Sequence, residues 1–149
     1  MMKKVFHFDF PRGHYQCDAA VVWCFDHRFD LGFAKFLKRR GIAHPDVIKI
    51  AGGARCLASP ERETDREFVL DQIAKSIRLH AATLVILMVH SDCGAYGGLA
   101  AFQGDAALES KHHADELRRA AACVAAAAPG VQVQSYFVDF EGVWSADER

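Results

Sequence analysis

Four stretches of the chain are apolar in the manner of buried strands, and three longer stretches carry apolar residues at helical spacing. The apolar runs are Ala19 to Phe25, Asp46 to Ala51, Thr83 to Val89 and Val131 to Phe140. Short runs with so few charges on either side of the pleat predict strands covered on both faces. After the first run, Phe29, Phe33, Phe36 and Leu37 fall on one face of a helix over residues 31–40. Asp30 is placed to cap it, Lys38, Arg39 and Arg40 lie where the helix dipole favours cations, and Gly41 stops it. Ser59-Pro60 reads as the start of a second helix reaching His80, with Phe68, Val69, Ile73 and Ile77 at helical spacing. Gly94 to Phe102 reads as a short helix, and a long one runs from about Asp105 to the stop at Pro129-Gly130, with a tail rich in alanine.

Strands that alternate with helices imply a mostly parallel sheet with right-handed crossovers. The expected fold class is α/β, a three-layer fold with a mostly parallel central sheet, strand order about 2-1-3-4, and helices on both faces. No repeat, low-complexity tract or linker interrupts the chain, so residues 1–149 are expected to form a single domain. Residues 1–18, aromatic and polar with Pro11 and Gly13, read as an N-terminal arm. Phe6, Phe8, Phe10 and Tyr15 on it need cover, either from a neighbouring subunit or from the chain's own core. The residues after Phe140 read as a short tail.

Composition narrows the partners more than the fold. A net charge of −1 gives no electrostatic reason to expect a nucleic-acid or membrane-surface partner. The longest strongly apolar run, Leu84 to Val89, is far short of the roughly 20 residues a membrane helix needs. His7 and Asp9 interrupt any apolar export signal near the start, so a reducing cytoplasm is the expected location. Five widely spread cysteines, an odd number, then read as free thiols or metal ligands rather than a disulfide frame.

Two strand ends carry the candidate chemistry. The first strand runs into Cys24-Phe25-Asp26-His27-Arg28, and the third into His90-Ser91-Asp92-Cys93-Gly94. In an extended segment alternate side chains point the same way, which puts Cys24, Asp26 and Arg28 on one face. Sites in open parallel sheets form beyond the C-terminal strand ends, where strand order reverses. With order 2-1-3-4 the first and third strands flank that point, and Cys24, His90 and Cys93 converge. Two thiolates and an imidazole suit zinc, with Asp26 a candidate fourth ligand. Taken alone, each of these residues is more often a buried thiol or a surface ion pair. Cys17, Cys56 and Cys123 lack a ligand pattern and read as packing residues, and His112-His113 reads as a solvated helix face.

With these residues in hand, the chain resembles the β-class carbonic anhydrases over roughly residues 19 to 140. Their Cys-x-Asp-Ser-Arg motif stands here as Cys24-Phe25-Asp26-His27-Arg28, and their His-x-x-Cys-Gly motif as His90-Ser91-Asp92-Cys93-Gly94. The middle motif, Arg-Asn-Ala-Gly, is present in part as Lys49-Ile50-Ala51-Gly52-Gly53. The resemblance implies Zn²⁺ as cofactor, held by Cys24, His90 and Cys93, with Asp26 either closing the shell or paired with Arg28 so that water takes the fourth position. It implies reversible hydration of carbon dioxide to bicarbonate by a zinc-bound hydroxide, with Asp26 and Arg28 as the catalytic pair. It also implies a homodimer or higher homo-oligomer whose N-terminal segments reach across the interface.

The motifs are not carried over whole. His27 replaces the serine between Asp and Arg, Lys49-Ile50 replaces Arg-Asn, and Tyr15 stands where plant-type members carry a substrate-binding glutamine. Two other functions stay open on the same site: hydrolysis of carbon disulfide or carbonyl sulfide, and a non-catalytic zinc-binding regulatory role. A nucleotide-binding module is disfavoured because no Gly-x-Gly-x-x-Gly or Gly-x-x-x-x-Gly-Lys pattern follows a strand. The absence of Cys-x-x-Cys disfavours a thiol redox protein.

Overall fold

A computed structural model of the chain describes residues 1–147; the last two residues of the expected domain and tail lie outside that range. Five strands form one sheet: β1 (Ala19–Trp23), β2 (Pro45–Lys49), β3 (Leu84–His90), β4 (Gln132–Val138) and β5 (Val143–Ser145). Their order is β2-β1-β3-β4-β5, with β1 to β4 parallel and β5 antiparallel to β4. The expected order 2-1-3-4 therefore holds, and the segment read as a tail adds a fifth, edge strand. Three residues of strand after a Gly142 turn are too short to show a period, which is why sequence pattern misses it.

Helices α1 (Asp30–Arg39), α2 (Arg55–Ala58), α3 (Glu63–His80) and α4 (Ala106–Ala127) cover the two faces. Alternate residues of each strand feed two separate cores. Ala20, Val22, Val85, Leu87 and Val89 pack under α3 and α4, whose contributions include Val69, Ile73, Leu117, Ala120 and Val124. Ala19, Val21, Trp23, Ile86 and Met88 pack under α1, against Phe29, Phe33, Phe36 and Leu37. Every residue of β1 is fully buried, as a central parallel strand requires. Full burial of each of its valines, Val21 and Val22, contributes about 1.5–3 kcal/mol.

Local signals hold at some helix ends and are overridden at others. Asp105 caps α4, accepting from the Ala107 and Leu108 amides. Gly41 takes a φ of 74° and ends the turn after α1. Ser59-Pro60 does not start α3. Ser59 closes the four-residue α2 instead, its hydroxyl donates to Glu116 on α4, and α3 begins at Glu63. Asp30 lies in the first turn of α1 rather than capping it, because its carboxylate is taken by Lys49 and His27. The expected short helix over Gly94 to Phe102 is two 3-10 turns, Gly94–Tyr96 and Leu99–Phe102, parted by Gly97 and Gly98 at positive φ. Residues 1–16 are exposed and form no helix or strand.

Strand register brings the two motif-bearing ends level. Val22 lies opposite Leu87, so Cys24, the first residue past β1, comes beside the end of β3. The chain leaving β2 crosses over both ends: the Ile50 amide donates to the Trp23 carbonyl at 2.9 Å, and the Ala54 amide to the Met88 carbonyl at 3.1 Å. Gly53 makes this crossing at a φ of 54°, and a Cβ there would overlap the Met88 carbonyl oxygen and crowd the Cys24 amide.

Candidate metal centre

The two strand ends meet. One donor atom from each of Cys24, His90 and Cys93 lies within 4.8 Å of the other two, and all three residues are buried. This is the one such cluster of three or more His, Cys, Asp or Glu side chains among the described residues. Backbone geometry brings it about: Cys24 follows β1 directly, His90 is the last residue of β3, and a two-residue link returns Cys93 to the same point.

The imidazole is oriented before any ligand arrives. His90 Nδ1 lies 2.7 Å from the Ser91 carbonyl oxygen, so Nδ1 donates and Nε2 presents its lone pair. Nε2 is buried and has no hydrogen-bond partner among the described residues. A buried acceptor left unmatched carries a desolvation cost of about 1–3 kcal/mol. Aimed beside two thiols, it is the unsatisfied atom that a fourth group in this cluster would satisfy. A metal ion that takes tetrahedral N/S donors fits such a set.

One of the two thiols is poised for deprotonation. The neighbouring Cys93 draws the Cys24 thiol well below its ordinary value against the opposing effect of burial, and His90 and the backbone amides of Gly52 and Asp26 add to it. The thiolate so favoured pushes Cys93 upward, so the pair shares its first proton loss. Burial works against a charged His90, but the nearby Cys24 sulfur, the Ser91 carbonyl and Asp26 together leave it raised.

Beside the donors, Asp26 is gripped rather than free. Arg28 Nε donates to both Asp26 oxygens at 3.1 Å, Nη2 to Oδ2 at 2.7 Å, and the Arg28 amide to Oδ1 at 3.0 Å. The Arg28 hydrogen bonds hold the Asp26 carboxyl at about 2. Asp26 Oδ2 lies 3.8 Å from His90 Nε2, facing the donor set. The strand does not stay extended as far as Arg28; a 3-10 turn over His27–Phe29 folds the guanidinium back onto Asp26.

Arg28 also reaches the second motif. Its Nη1 donates to Asp92 Oδ2 and its Nη2 to the Asp92 carbonyl, each at 3.0 Å. The guanidinium lies over the rings of Phe29 and Phe140 at 5.7 and 5.4 Å. Asp92 is a residue that sequence reasoning missed. Its position inside the His-x-x-Cys link was visible, but its φ of 55° and its use as a second anchor for Arg28 were not. A cavity of about 730 Å³ opens onto the donors, and small residues (Ala51, Gly52, Ala95, Gly97, Gly98) line much of its wall.

Other residues singled out in the sequence lie elsewhere. His27 points to solvent and pairs with Asp30. Lys49 also pairs with Asp30, tying β2 to α1. Tyr15 is held at the opposite end of β2, donating to Asp46 Oδ1 at 2.6 Å. Cys17 and Cys56 are buried; burial raises Cys17 and pushes Cys56 up to about 12. His113 is fully buried, not on a solvated face, and burial lowers it to about 4; its neighbour His112 is exposed.

Comparison with known proteins agrees with this geometry. A family model described as "Putative carbonic anhydrase" matches residues 14–146. Among solved structures, the β-carbonic anhydrase isoform I of Trichomonas vaginalis superposes with a TM-score of 0.60 at 16% identity, covering 94% of this chain and 87% of that one. A carbonic anhydrase from Streptococcus mutans gives a TM-score of 0.60 at 16% identity, covering 90% and 84%. A carbon disulfide hydrolase gives 0.57 at 12% identity, covering 91% and 82%. No curated protein sequence matches the chain. Fold, motif order and the family match agree: the chain belongs to the carbonic anhydrase family and has the fold of its β-class members.

Proposed function

We propose that this protein is a zinc-dependent lyase that interconverts carbon dioxide and water with bicarbonate and a proton. The observation that carries the reading is the convergence of Cys24, His90 and Cys93 around an unmatched His90 Nε2, beside an Asp26 held ionised by Arg28. In this reading Cys24, His90 and Cys93 hold the metal, and Asp26 and Arg28 are catalytic. Zinc held by Cys24, His90 and Cys93 would supply Lewis acidity that lowers the pKa of a water and makes it a nucleophile.

The chain's own residues supply the rest. Two thiolate donors offset the charge of a divalent cation, so the surrounding acceptors gain weight in orienting water. Asp26 is such an acceptor, close to the donors but committed to Arg28 through both oxygens, which favours its acting on water over ligating the cation. A water at the donor set can donate a hydrogen bond to Asp26 and turn a lone pair towards the carbon of the substrate. Arg28, itself fixed by Asp92, keeps Asp26 in its ionised form and in place.

The test is a stopped-flow carbon dioxide hydration assay on zinc-loaded protein, with Cys93→Ala as blank. A rate well above the blank supports the enzyme reading, and equal rates sink it. A second substrate class is favoured by the carbon disulfide hydrolase that shares this fold. Carbon disulfide and carbonyl sulfide are linear electrophiles of the same kind, and sulfide release from the same preparation decides between them and carbon dioxide.

The working unit in this reading is a homodimer or larger homo-oligomer. Phe6, Phe8 and Phe10 are 77%, 63% and 71% exposed on the arm, and β2 leaves an open sheet edge with Val47 exposed. Sedimentation at working concentration measures this directly. No described helix is long and apolar enough to cross a membrane. A reducing compartment such as the cytoplasm suits ligand thiols that must stay unoxidised.

A further inference from the structure

The inner face of α4 carries ionisable groups where a covering helix is expected to be apolar. Glu109, His113 and Glu116 follow at spacings of four and three, which places them on one side of the helix. None is more than 1% exposed. Side chains of this kind are almost never buried so completely without partners. They are not partners of one another: His113 Nε2 and Glu109 Oε1 are 3.9 Å apart, beyond hydrogen-bond reach.

Glu109 spends both oxygens on the two residues that separate the candidate ligands His90 and Cys93. The Ser91 hydroxyl donates to Oε2 at 2.6 Å, and the Asp92 amide donates to Oε1 at 2.6 Å. That link is otherwise demanding. Asp92 sits at a φ of 55°, in a region that L residues seldom adopt. The remaining groups of the link are also engaged: the Ser91 amide donates to the Val138 carbonyl, the Ser91 carbonyl takes His90 Nδ1, and the Asp92 carboxylate takes Arg28 and the Leu99 amide. Glu109 is the contact that comes from across the core, from a helix with no ligand of its own.

We propose that Glu109 is a positioning residue of the metal centre, its buried carboxylate fixing the Ser91-Asp92 link so that His90 and Cys93 arrive together opposite Cys24. The inference rests on the metal reading above and adds a support to it that lies outside both sequence motifs. Outer residues that orient metal ligands are typically worth 10- to 100-fold in affinity.

The experiment measures zinc affinity of the full-length protein by competition with a chromophoric chelator, and the visible spectrum of the cobalt-loaded form. Glu109→Leu removes both acceptors and is expected to bind zinc about 10- to 100-fold more weakly, with an altered cobalt spectrum. Glu109→Gln is the rescue: its oxygen still accepts from the Asp92 amide, and its NH₂ can donate to a Ser91 hydroxyl that now accepts. It is expected to stay within about threefold of wild type, well inside the range set by loss of such a support. Leu117→Ala, on the same helix, removes packing alone and is expected to lower the melting temperature without moving zinc affinity. Wild-type affinity and spectrum in Glu109→Leu would overturn the inference. If that variant does not fold, Ser91→Ala removes one of the two contacts from the other side, and wild-type affinity there overturns it equally. A wild-type chain that binds no zinc would overturn the metal reading, and this inference with it; binding by wild type with no difference in the variants overturns this inference alone.

Discussion

Helices α3 and α4 cover the same face of the sheet with different chemistry. The buried residues of α3 are Val69, Ile73 and, near its C-terminus, Ser76. Those of α4 are apolar only in its second half, Leu117, Ala120 and Val124, and are Glu109, His113 and Glu116 before that. Each helix is apolar where it crosses the middle of the sheet and polar where it passes an end. At the far end, Ser76 donates to Asp46, which also binds Tyr15 and His80 close to solvent. At the end that carries Cys24, His90 and Cys93 the polar groups of α4 are sealed in, and its two glutamates engage Ser59, Ser91, Asp92 and Tyr96. The difference separates the two halves of one helix: the second packs into the apolar core, and the first meets the Ser91-Asp92 link.

The sharpest way to break that division is at the site itself. Asp26→Ala is expected to reduce carbon dioxide turnover by on the order of 10²–10⁴, the usual worth of a positioned proton acceptor, while zinc content by atomic absorption matches that of the wild type. Retained turnover would remove Asp26 from the chemistry. Next in size, Leu117→Ala should cost about 2–5 kcal/mol in chemical denaturation, because it opens a cavity in the apolar half.

The polar half should instead reveal itself through pH. Burial lowers His113 to about 4 from the ordinary 6.5, so the unfolded chain takes up a proton that the folded one refuses. Its share of stability is complete above about pH 6.5 and is lost as pH falls through 4, about 3 kcal/mol in all. His113→Leu should therefore flatten the denaturation midpoint between pH 7 and 4 relative to wild type, and parallel curves would contradict this. Asp26 and Asp46, both held at about 2, lose their shares lower down, between about 3.8 and 2. The smallest effect belongs to Ser59→Ala, which removes one of three donors to Glu116 and should cost about 1 kcal/mol by the same denaturation.

Four of the five strands were legible because each rests on an apolar run, and the meeting of Cys24 with His90 and Cys93 followed from their ends once the order 2-1-3-4 was assumed, which the runs do not themselves fix. What stayed hidden depends on contacts between distant segments. Ser59-Pro60 has the local signature of a helix start, but the bond to Glu116 uses that hydroxyl elsewhere. His113 follows Lys111 and His112 in a polar run, and nothing local distinguishes the buried imidazole from the exposed one. Glu109 and Glu116 do share His113's helical period, yet a row of charged residues on a helix is ordinarily a wet face. Only packing of α4 against the ligand loop makes that row an inner one.

A saturation library of this chain should rank its glycines in an order that the motifs do not suggest. Gly94 completes the His-x-x-Cys-Gly signature, yet a side chain there would meet nothing within 4 Å, and its φ is not positive. Gly53 belongs to no strict signature, but it bridges β1 and β3 where a Cβ would overlap the Met88 carbonyl oxygen. Replacement at 53 should deplete even alanine by wedging apart the strand ends that carry Cys24 and His90, while 94 tolerates many residues unless a partner subunit approaches it.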